Sequence, residues 1–249
     1  MDMNNKVALV TGGGAGIGYA TAIHLRQRGA RVVIADRRED TADIADALDV
    51  DYVKFDVADS NAWDHAISTL EQRHGGLDAL ILNAGTMVLP PAQRVVKRLD
   101  IQRLLDTDYQ QVMRVNCDGV VFGTRAALPL MLQRDSAHIV MVSSVSGIQP
   151  AAYDPIYGGS KHFVIGFMRS MAAQLQSTSI YVNAVCPGVT KTDIVDPETY
   201  ALMDQSGAQY LPADHVAETI LRAVASDQTG KAYICQAGQE DQTYQFNAV

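Results

Sequence analysis

The sequence predicts an α/β domain built on an open, doubly wound parallel sheet. Three observations carry that expectation. Short apolar runs alternate with helical patterns almost to the end of the chain. The first run leads directly into a glycine-rich turn and a helix. Successive runs end in polar residues, among them Asp36, Asp56, Asn83 and Ser144, and a sheet of this kind places its ligands outside the carboxyl ends of its strands.

The first run, Lys6 to Thr11, is short and apolar, suited to a strand buried on both faces. Gly12-Gly13-Gly14-Ala15-Gly16-Ile17-Gly18 follows, and a helical pattern covers Tyr19 to Arg28. Glycines let the backbone turn tightly against a pyrophosphate, and free N–H groups at a helix start favour its negative charge. The spacing is T-G-x-x-x-G-x-G, with Gly12, Gly16 and Gly18 at the fixed positions. A plain turn is the competing reading. The second strand, Arg31 to Ala35, speaks against it, because Asp36 stands at its carboxyl end where an acidic side chain bonds adenosine ribose hydroxyls. A carboxylate there repels the additional phosphate of NADP, so NAD is the expected cofactor. Arg37 and Arg38 are the opposing signal.

A third strand, Tyr52 to Phe55, ends in Asp56-Val57, and a fourth, Asp78 to Leu82, ends in Asn83-Ala84-Gly85. Asp56 is placed to reach an adenine amino group or to serve as a helix cap or turn residue. Ala84 and Gly85 leave room for a cofactor, whereas Asn83 reads as a strand-end residue that orders the sheet. Pro90 and Pro91 break the next stretch, Gln93 to Asp106 has the pattern of a charged surface helix, and a long helix runs from near Tyr109 to Gln133. It carries Asn116 among Val115, Val120 and Phe122, where a buried polar group needs partners. Two readings stand: Asn116 holds a water or backbone group, or it repairs a helix irregularity near Gly119.

The fifth strand, His138 to Val142, delivers Ser143-Ser144. The helix after Pro155 then carries Tyr157 and Lys161, one turn apart on the same face. A free tyrosine, with a pKa of about 10, is no base at neutral pH, but a neighbouring cation favours its phenolate. Lowering that pKa to roughly 7 takes about 4 kcal/mol, which an ammonium and a cationic ring in a partly desolvated cleft can supply. His162 is expected to face away as a structural or solvated residue, and Asp154 to act as a turn residue before Pro155. The sixth strand, Ile180 to Val185, ends in Cys186-Pro187-Gly188-Val189-Thr190-Lys191-Thr192. Its backbone and hydroxyls either hold a nicotinamide carboxamide or form a plain proline-glycine turn.

The chain has 249 residues and a net charge of −8, which argues against nucleic acid or an anionic membrane as partner. No repeat or linker marks a boundary, so one domain over residues 1–249 is expected. Cys117, Cys186 and Cys235 are few and odd in number, which suits a reducing, cytoplasmic setting, and each is expected to fill core space. The first residues lack a signal-peptide pattern, and no apolar run is long enough to span a bilayer.

Taken in order over nearly the whole chain, these motifs resemble the classical short-chain dehydrogenase/reductase family. The resemblance implies a single-domain Rossmann fold with a seven-stranded parallel sheet and helices on both faces. It implies NAD(H) held by Gly12, Gly16, Ile17, Gly18, Asp36, Asp56, Val57, Asn83, Ala84, Gly85, Tyr157, Lys161, Pro187, Gly188, Thr190 and Thr192, with no metal. Asn116, Ser144, Tyr157 and Lys161 would form a catalytic tetrad. Tyr157 would be the general acid/base, Lys161 would bind the nicotinamide ribose and depress the tyrosine pKa, Ser144 would bond the substrate oxygen, and Asn116 would position a water. The expected reaction interconverts a secondary alcohol and a ketone; the alternative is a non-catalytic NAD(H) sensor. Tyr157 to Ser170, Asn183 to Thr192 and the tail are similar to one NAD-dependent member that oxidises a secondary alcohol. Leu82 replaces the family's usual asparagine, and Lys231 to Gly238 lacks the usual Asp-Gly-Gly close, so a homodimer is expected, with a homotetramer as the alternative. Tyr200, Leu202, Met203, Tyr210 and Leu211, within the segment Val189 to Pro212, suggest a partly apolar lid over a moderately hydrophobic small-molecule substrate.

Overall fold

The computed structural model describes residues 2–88, 98–192, 200–201, 204–205 and 207–246. Its strands are β1 (Val7–Thr11), β2 (Arg31–Asp36), β3 (Asp51–Lys54), β4 (Ala79–Leu82), β5 (Ala137–Val142), β6 (Ile180–Pro187), β7 (Thr190–Lys191), β8 (Leu211–Pro212), β9 (Ala232–Cys235) and β10 (Gln242–Thr243). Eight of them form the main sheet in the order β10-β9-β6-β5-β4-β1-β2-β3, and β7 pairs with β8 beside it. From β1 the chain builds outwards to β3, then crosses back to β4 and proceeds the other way. The reversal leaves a crevice at the carboxyl ends of β1 and β4, where a doubly wound sheet binds its ligand.

Every residue of β1 is buried. Val7 and Leu9 join a core with Trp63, Leu80 and Met168, while Ala8 and Val10 join a second core with Leu25, Ile81 and Ile220. Side chains alternate across a strand, so one covered on both faces is apolar throughout. Helices α1 (Gly16–Gln27) and α7 (Ala213–Ala225) pack together over the second core. Helix α2 (Thr41–Leu48) links β2 to β3. Helices α3 (Ser60–His74), α4 (Asp106–Met113), α5 (Gly119–Met131) and α6 (Pro155–Gln174) lie on the other side, where α3, α5 and α6 supply Trp63, Val120 and Val164 to the first core.

Two expectations change. Seven strands are parallel as foreseen, but an eighth, β10, runs antiparallel to β9 at the sheet edge. The chain turns back at Gly238, whose φ is +74°. Asp241 is then bonded by His215 Nε2 at 2.7 Å and Thr219 Oγ1 at 2.7 Å, which anchors the returning segment to α7. The charged surface helix over Gln93 to Asp106 does not extend through 98–105, where only a single turn, Ile101–Arg103, forms; residues 93–97 lie outside the described residues. Leu99 donates to the Tyr153 carbonyl and Asp100 caps the turn, so these groups bond away from a continuous helix. The following helix begins at Asp106 and continues through a π turn, Arg114–Asp118, into α5.

Candidate active site

The glycine turn closes the crevice at the end of β1. Gly12 has φ +65° and Gly16 φ +53°, in the left-handed region that strains any side-chain-bearing residue. A Cβ on Gly18 would stand 2.1 Å from the Gly12 carbonyl oxygen, so the turn packs against α1 only because that atom is missing. No side chain caps the start of α1, which leaves its first N–H groups directed at the crevice. Ile17 is partly buried against the second core. Thr192 reaches the turn from the far side, its Cβ 3.0 Å from where a Gly16 Cβ would be.

Asp36 stands at the end of β2 and braces the turn, accepting from Gly14 N at 3.0 Å and from Arg38 N at 3.2 Å. The neighbouring arginines are already engaged. Arg38 forms a bidentate pair with Asp40 at 2.8 and 2.7 Å and holds that carboxyl below its ordinary pKa, chiefly through these hydrogen bonds. Arg37 lies 4.0 Å from Asp56. Asp56 also accepts from Ala58 N at 2.9 Å, so its turn role is real, and half of its side chain stays exposed. Val57 is buried in the first core, and its carbonyl accepts from Trp63 Nε1 at 2.9 Å.

Asn83 orders the strand ends: its Nδ2 donates to the Thr11 and Gly12 carbonyls at 2.9 and 3.3 Å. Thr11 was not singled out from the sequence, yet its Oγ1 accepts from both Asn83 N (3.0 Å) and Ala84 N (3.1 Å). Beyond them Gly85 opens the floor of the cleft. A Cβ there would lie 3.3 Å from Lys161 Nζ and 3.5 Å from Asn116 Oδ1.

Pro155 occupies the first turn of α6, and Asp154, fully buried, caps it by accepting from Tyr157 N at 2.9 Å. Its other oxygen accepts from Val88 N at 3.0 Å, so this residue does more than the expected turn: it sets the register of Tyr157 against the segment after β4. Lys161 Nζ lies 5.7 Å from the centre of the Tyr157 ring and donates to the Val142 carbonyl at 2.9 Å. Only 4% of Lys161 is exposed, and burial pulls its pKa from 10.5 down to about 8. Ser143 pins the helix to the sheet by donating to the Lys161 carbonyl at 2.9 Å. Ser144 Oγ accepts from Ser146 N at 3.1 Å and makes a long bond of 3.4 Å to the Pro187 carbonyl.

Of the two readings of Asn116, the structure shows the first, a held backbone group; none of its side-chain bonds goes to the irregular turn itself. Asn116 sits in the π turn, and its amide clasps the Thr86 backbone, Nδ2 donating to O and Oδ1 accepting from N, each at 2.8 Å. Its second amide hydrogen goes to Ser160 Oγ at 2.9 Å. On the far wall Gly188 N donates to the Cys235 carbonyl at 2.8 Å, and Thr190 Oγ1 donates to the Gly188 carbonyl at 3.0 Å. The structure therefore brings the glycine turn, Gly85, Asn116 and Lys161 to one crevice, with Ser144 and Pro187 bonded to each other at its side.

The family model described as short chain dehydrogenase matches residues 6–201. The chain belongs to the short-chain dehydrogenase family. An uncharacterized oxidoreductase of Staphylococcus aureus (strain MW2) is 32% identical over 231 residues, covering 89% of this chain and 92% of that protein. The 15-hydroxyprostaglandin dehydrogenase [NAD(+)] of Rattus norvegicus is 32% identical over 209 residues, 79% of this chain and 72% of the rat protein. A short-chain dehydrogenase/reductase from Burkholderia phymatum, solved in complex with NAD, superposes with a TM-score of 0.81 at 24% identity over 94% of this chain and 90% of its own, and thereby supports the fold.

As a short-chain dehydrogenase the chain is an oxidoreductase, and the remaining sequence-marked residues take supporting places. His162 is exposed, its Nδ1 2.9 Å from the Gly158 carbonyl. The three cysteines are buried, and desolvation pushes their thiols up, Cys186 to about 12, so they stay protonated. Tyr200 and Tyr210, two of the residues expected in a lid, hold Lys191 Nζ 5.3 and 5.4 Å from their ring centres, and the Tyr200 hydroxyl bonds the Thr192 backbone. Leu202 and Met203 lie outside the described residues. Among the described residues no helix is long and apolar enough to cross a membrane, and no cluster of three or more His, Cys, Asp or Glu side chains could hold a metal.

Proposed function

We propose that the protein is an NAD-dependent oxidoreductase that interconverts a secondary alcohol and a ketone. The observation that carries this reading is Lys161, an ammonium buried beside Tyr157 on one helix face at the end of a dehydrogenase sheet. Its lowered pKa of about 8 leaves it mostly charged at neutral pH, so it favours a Tyr157 phenolate. Tyr157 would accept the alcohol proton at its phenolic oxygen during oxidation and return it during reduction. The Ser144 hydroxyl would exchange its long bond to Pro187 for the substrate oxygen. Any water positioned by Asn116 would bond its oxygen atoms, since both amide hydrogens are taken.

The residues present fit a dinucleotide. Gly12, Gly16 and Gly18 let the turn close where a side chain would meet Asn83, Thr192 or the Gly12 carbonyl, and the uncapped start of α1 suits a pyrophosphate. Asp36 would hold the ribose hydroxyls, Asp56 and Val57 the adenine, Asn83, Ala84 and Gly85 would border the passage between, and Pro187, Gly188, Thr190 and Thr192 would hold the carboxamide end. When bound, NAD would supply the hydride acceptor. NAD over NADP is supported by the pairing of Arg38 with Asp40, and of Arg37 near Asp56, since a 2′-phosphate would have to compete with those carboxylates and with Asp36. The names of the rat relative and of the Burkholderia complex both specify NAD.

The test is nicotinamide reduction by a panel of secondary alcohols, with NAD and NADP in parallel. Turnover with NAD is expected, and Tyr157→Phe should lower it by about 10²–10⁴-fold with NADH binding retained. Full activity in that variant would sink the mechanism, and equal use of NADP would sink the role given to Asp36.

A further inference from the structure

A cavity of about 300 Å³ opens beside the turn that follows Ser144, and it is walled in part by a segment of the chain that the catalytic reading leaves unused. Val145 and Ile148, on the turn that follows Ser144, form its inner side. Gln149, Gln236, Gln242 and Gln245 share the rest with Ile234, Thr243 and Tyr244. Gln236 lies against the nicotinamide end of the crevice, its Cγ 3.3 Å from where a Gly188 Cβ would be. Gln242 and Gln245 come from the returning tail, whose position is held at several points. Asp241 is fixed by His215 and Thr219, Tyr244 N donates to the Ala232 carbonyl at 2.8 Å, and the Phe246 ring lies 4.3 Å from the Arg169 guanidinium. The tail is thus a built wall rather than a loose end.

The chemistry of that wall is specific. No acidic or basic side chain lines it, and none of its four carboxamides is hydrogen-bonded to another side chain or backbone group among the described residues. Each carboxamide offers two donors and an oxygen with two lone pairs, the complement of a hydroxyl group. An ionic substrate would lose hydration with no counter-charge in return. A purely apolar one would cover the amides and leave them without partners. The volume is at the small end of the range of roughly 300–1,000 Å³ for small-molecule sites.

We propose that the C-terminal strand completes the substrate site and that the substrate is a small, neutral, polyhydroxylated secondary alcohol or its ketone. This rests on the dehydrogenase reading above and departs from the moderately hydrophobic substrate expected from the lid. The hydrogen on the reacting carbon would leave with its bonding electron pair as hydride to bound NAD, the hydroxyl proton would go to Tyr157, and a C=O bond would form, so the polyol carbon is oxidised as the cofactor is reduced.

The test measures kcat and KM with NAD for xylitol and sorbitol, against 2-heptanol as the apolar alcohol and gluconate as the anionic polyol. The polyols are expected to exceed both comparators at least tenfold in kcat/KM. The double variant Gln242→Leu/Gln245→Leu should raise the polyol KM about tenfold with kcat little changed, while Gln239→Leu, in the same tail but outside the cavity, should not. Preference for 2-heptanol or gluconate, or an unchanged polyol KM in the double variant, would overturn the substrate class. If 2-heptanol turnover also disappears in Tyr157→Phe, the proposed reaction stands although the substrate class fails. If nothing is turned over, calorimetry of xylitol and sorbitol with the NADH-bound protein decides: binding weakened by the double variant supports the wall, and no binding overturns it.

Discussion

Lys161 shows how a single residue is set against the stability of the fold. Its ammonium is almost wholly removed from solvent, with one carbonyl partner and a tyrosine ring for company. A fall in pKa from 10.5 to about 8 corresponds to roughly 3 kcal/mol of penalty on the charged form. Between those two values the unfolded chain binds more protons than the native one, so this group makes stability rise with pH across that window, and the penalty is fully present below about 8. Lys161→Met should therefore abolish activity yet raise the melting temperature at pH 7 by a few degrees, less the cost of the unpaired Val142 carbonyl. The advantage should shrink towards pH 10. Thermal melts at the two pH values check this, and a melting temperature at pH 7 no higher than that of the native chain would contradict it. The pairing of Tyr157 and Lys161 was legible because it is local, four residues along one helix. The burial that tunes Lys161 was not, since it comes from β5 and the turn after β4.

At the scale of elements, close packing between helix and sheet keeps the crevice in shape. Helix α5 crosses the sheet at Gly123, where a Cβ would stand 2.7 Å from both the Trp63 ring and Leu82 Cδ2. Trp63 is itself fixed by its bond to the Val57 carbonyl and by an edge contact with Phe55 at 5.0 Å, so it cannot move aside freely. Gly123→Ala should cost about 1–3 kcal/mol by overpacking. Urea denaturation measures this, and an unchanged midpoint would show that α5 can shift. The first six strands and the first helix were readable from their apolar runs and glycine spacing. The helical pattern over 93–106 failed across 98–105 because Leu99 donates to Tyr153, more than fifty residues on, and Asp100 caps a single local turn. A periodic charge pattern records which face is wet, not where the backbone hydrogen bonds go.

For the whole molecule, the two ends of the sheet have different tasks. The carboxyl end carries the crevice, and the opposite end carries a buried carboxylate, Asp78. It accepts from Val7 N at 2.9 Å and from Arg134 at 2.9 and 3.2 Å, joining β1, β4 and the end of α5. Asp78 is fully buried while Arg134 keeps about a third of its side chain exposed. Arg134→Met leaves that carboxylate undercompensated and should cost about 2 kcal/mol, below the roughly 3–5 of a fully buried pair. Activity per folded molecule should be unchanged, since the site is at the other end; a loss of turnover without a loss of stability would refute the division. The sequence by itself determined the family, the first six strands in order, the glycine-rich turn after the first of them and the Tyr157–Lys161 spacing, because each is written in neighbouring residues and obeys a local period. Only the tertiary structure decided that Asn116 clasps Thr86, that Asp154 joins Tyr157 to Val88, that Arg37 and Arg38 are already engaged by carboxylates, and that the tail returns as an antiparallel strand to wall a cavity. Most of those contacts link residues far apart in the chain, and even the short-range arginine pairing depends on how the strand ends are arranged. Their partners are chosen by where the sheet brings backbone groups together, which no local spacing records.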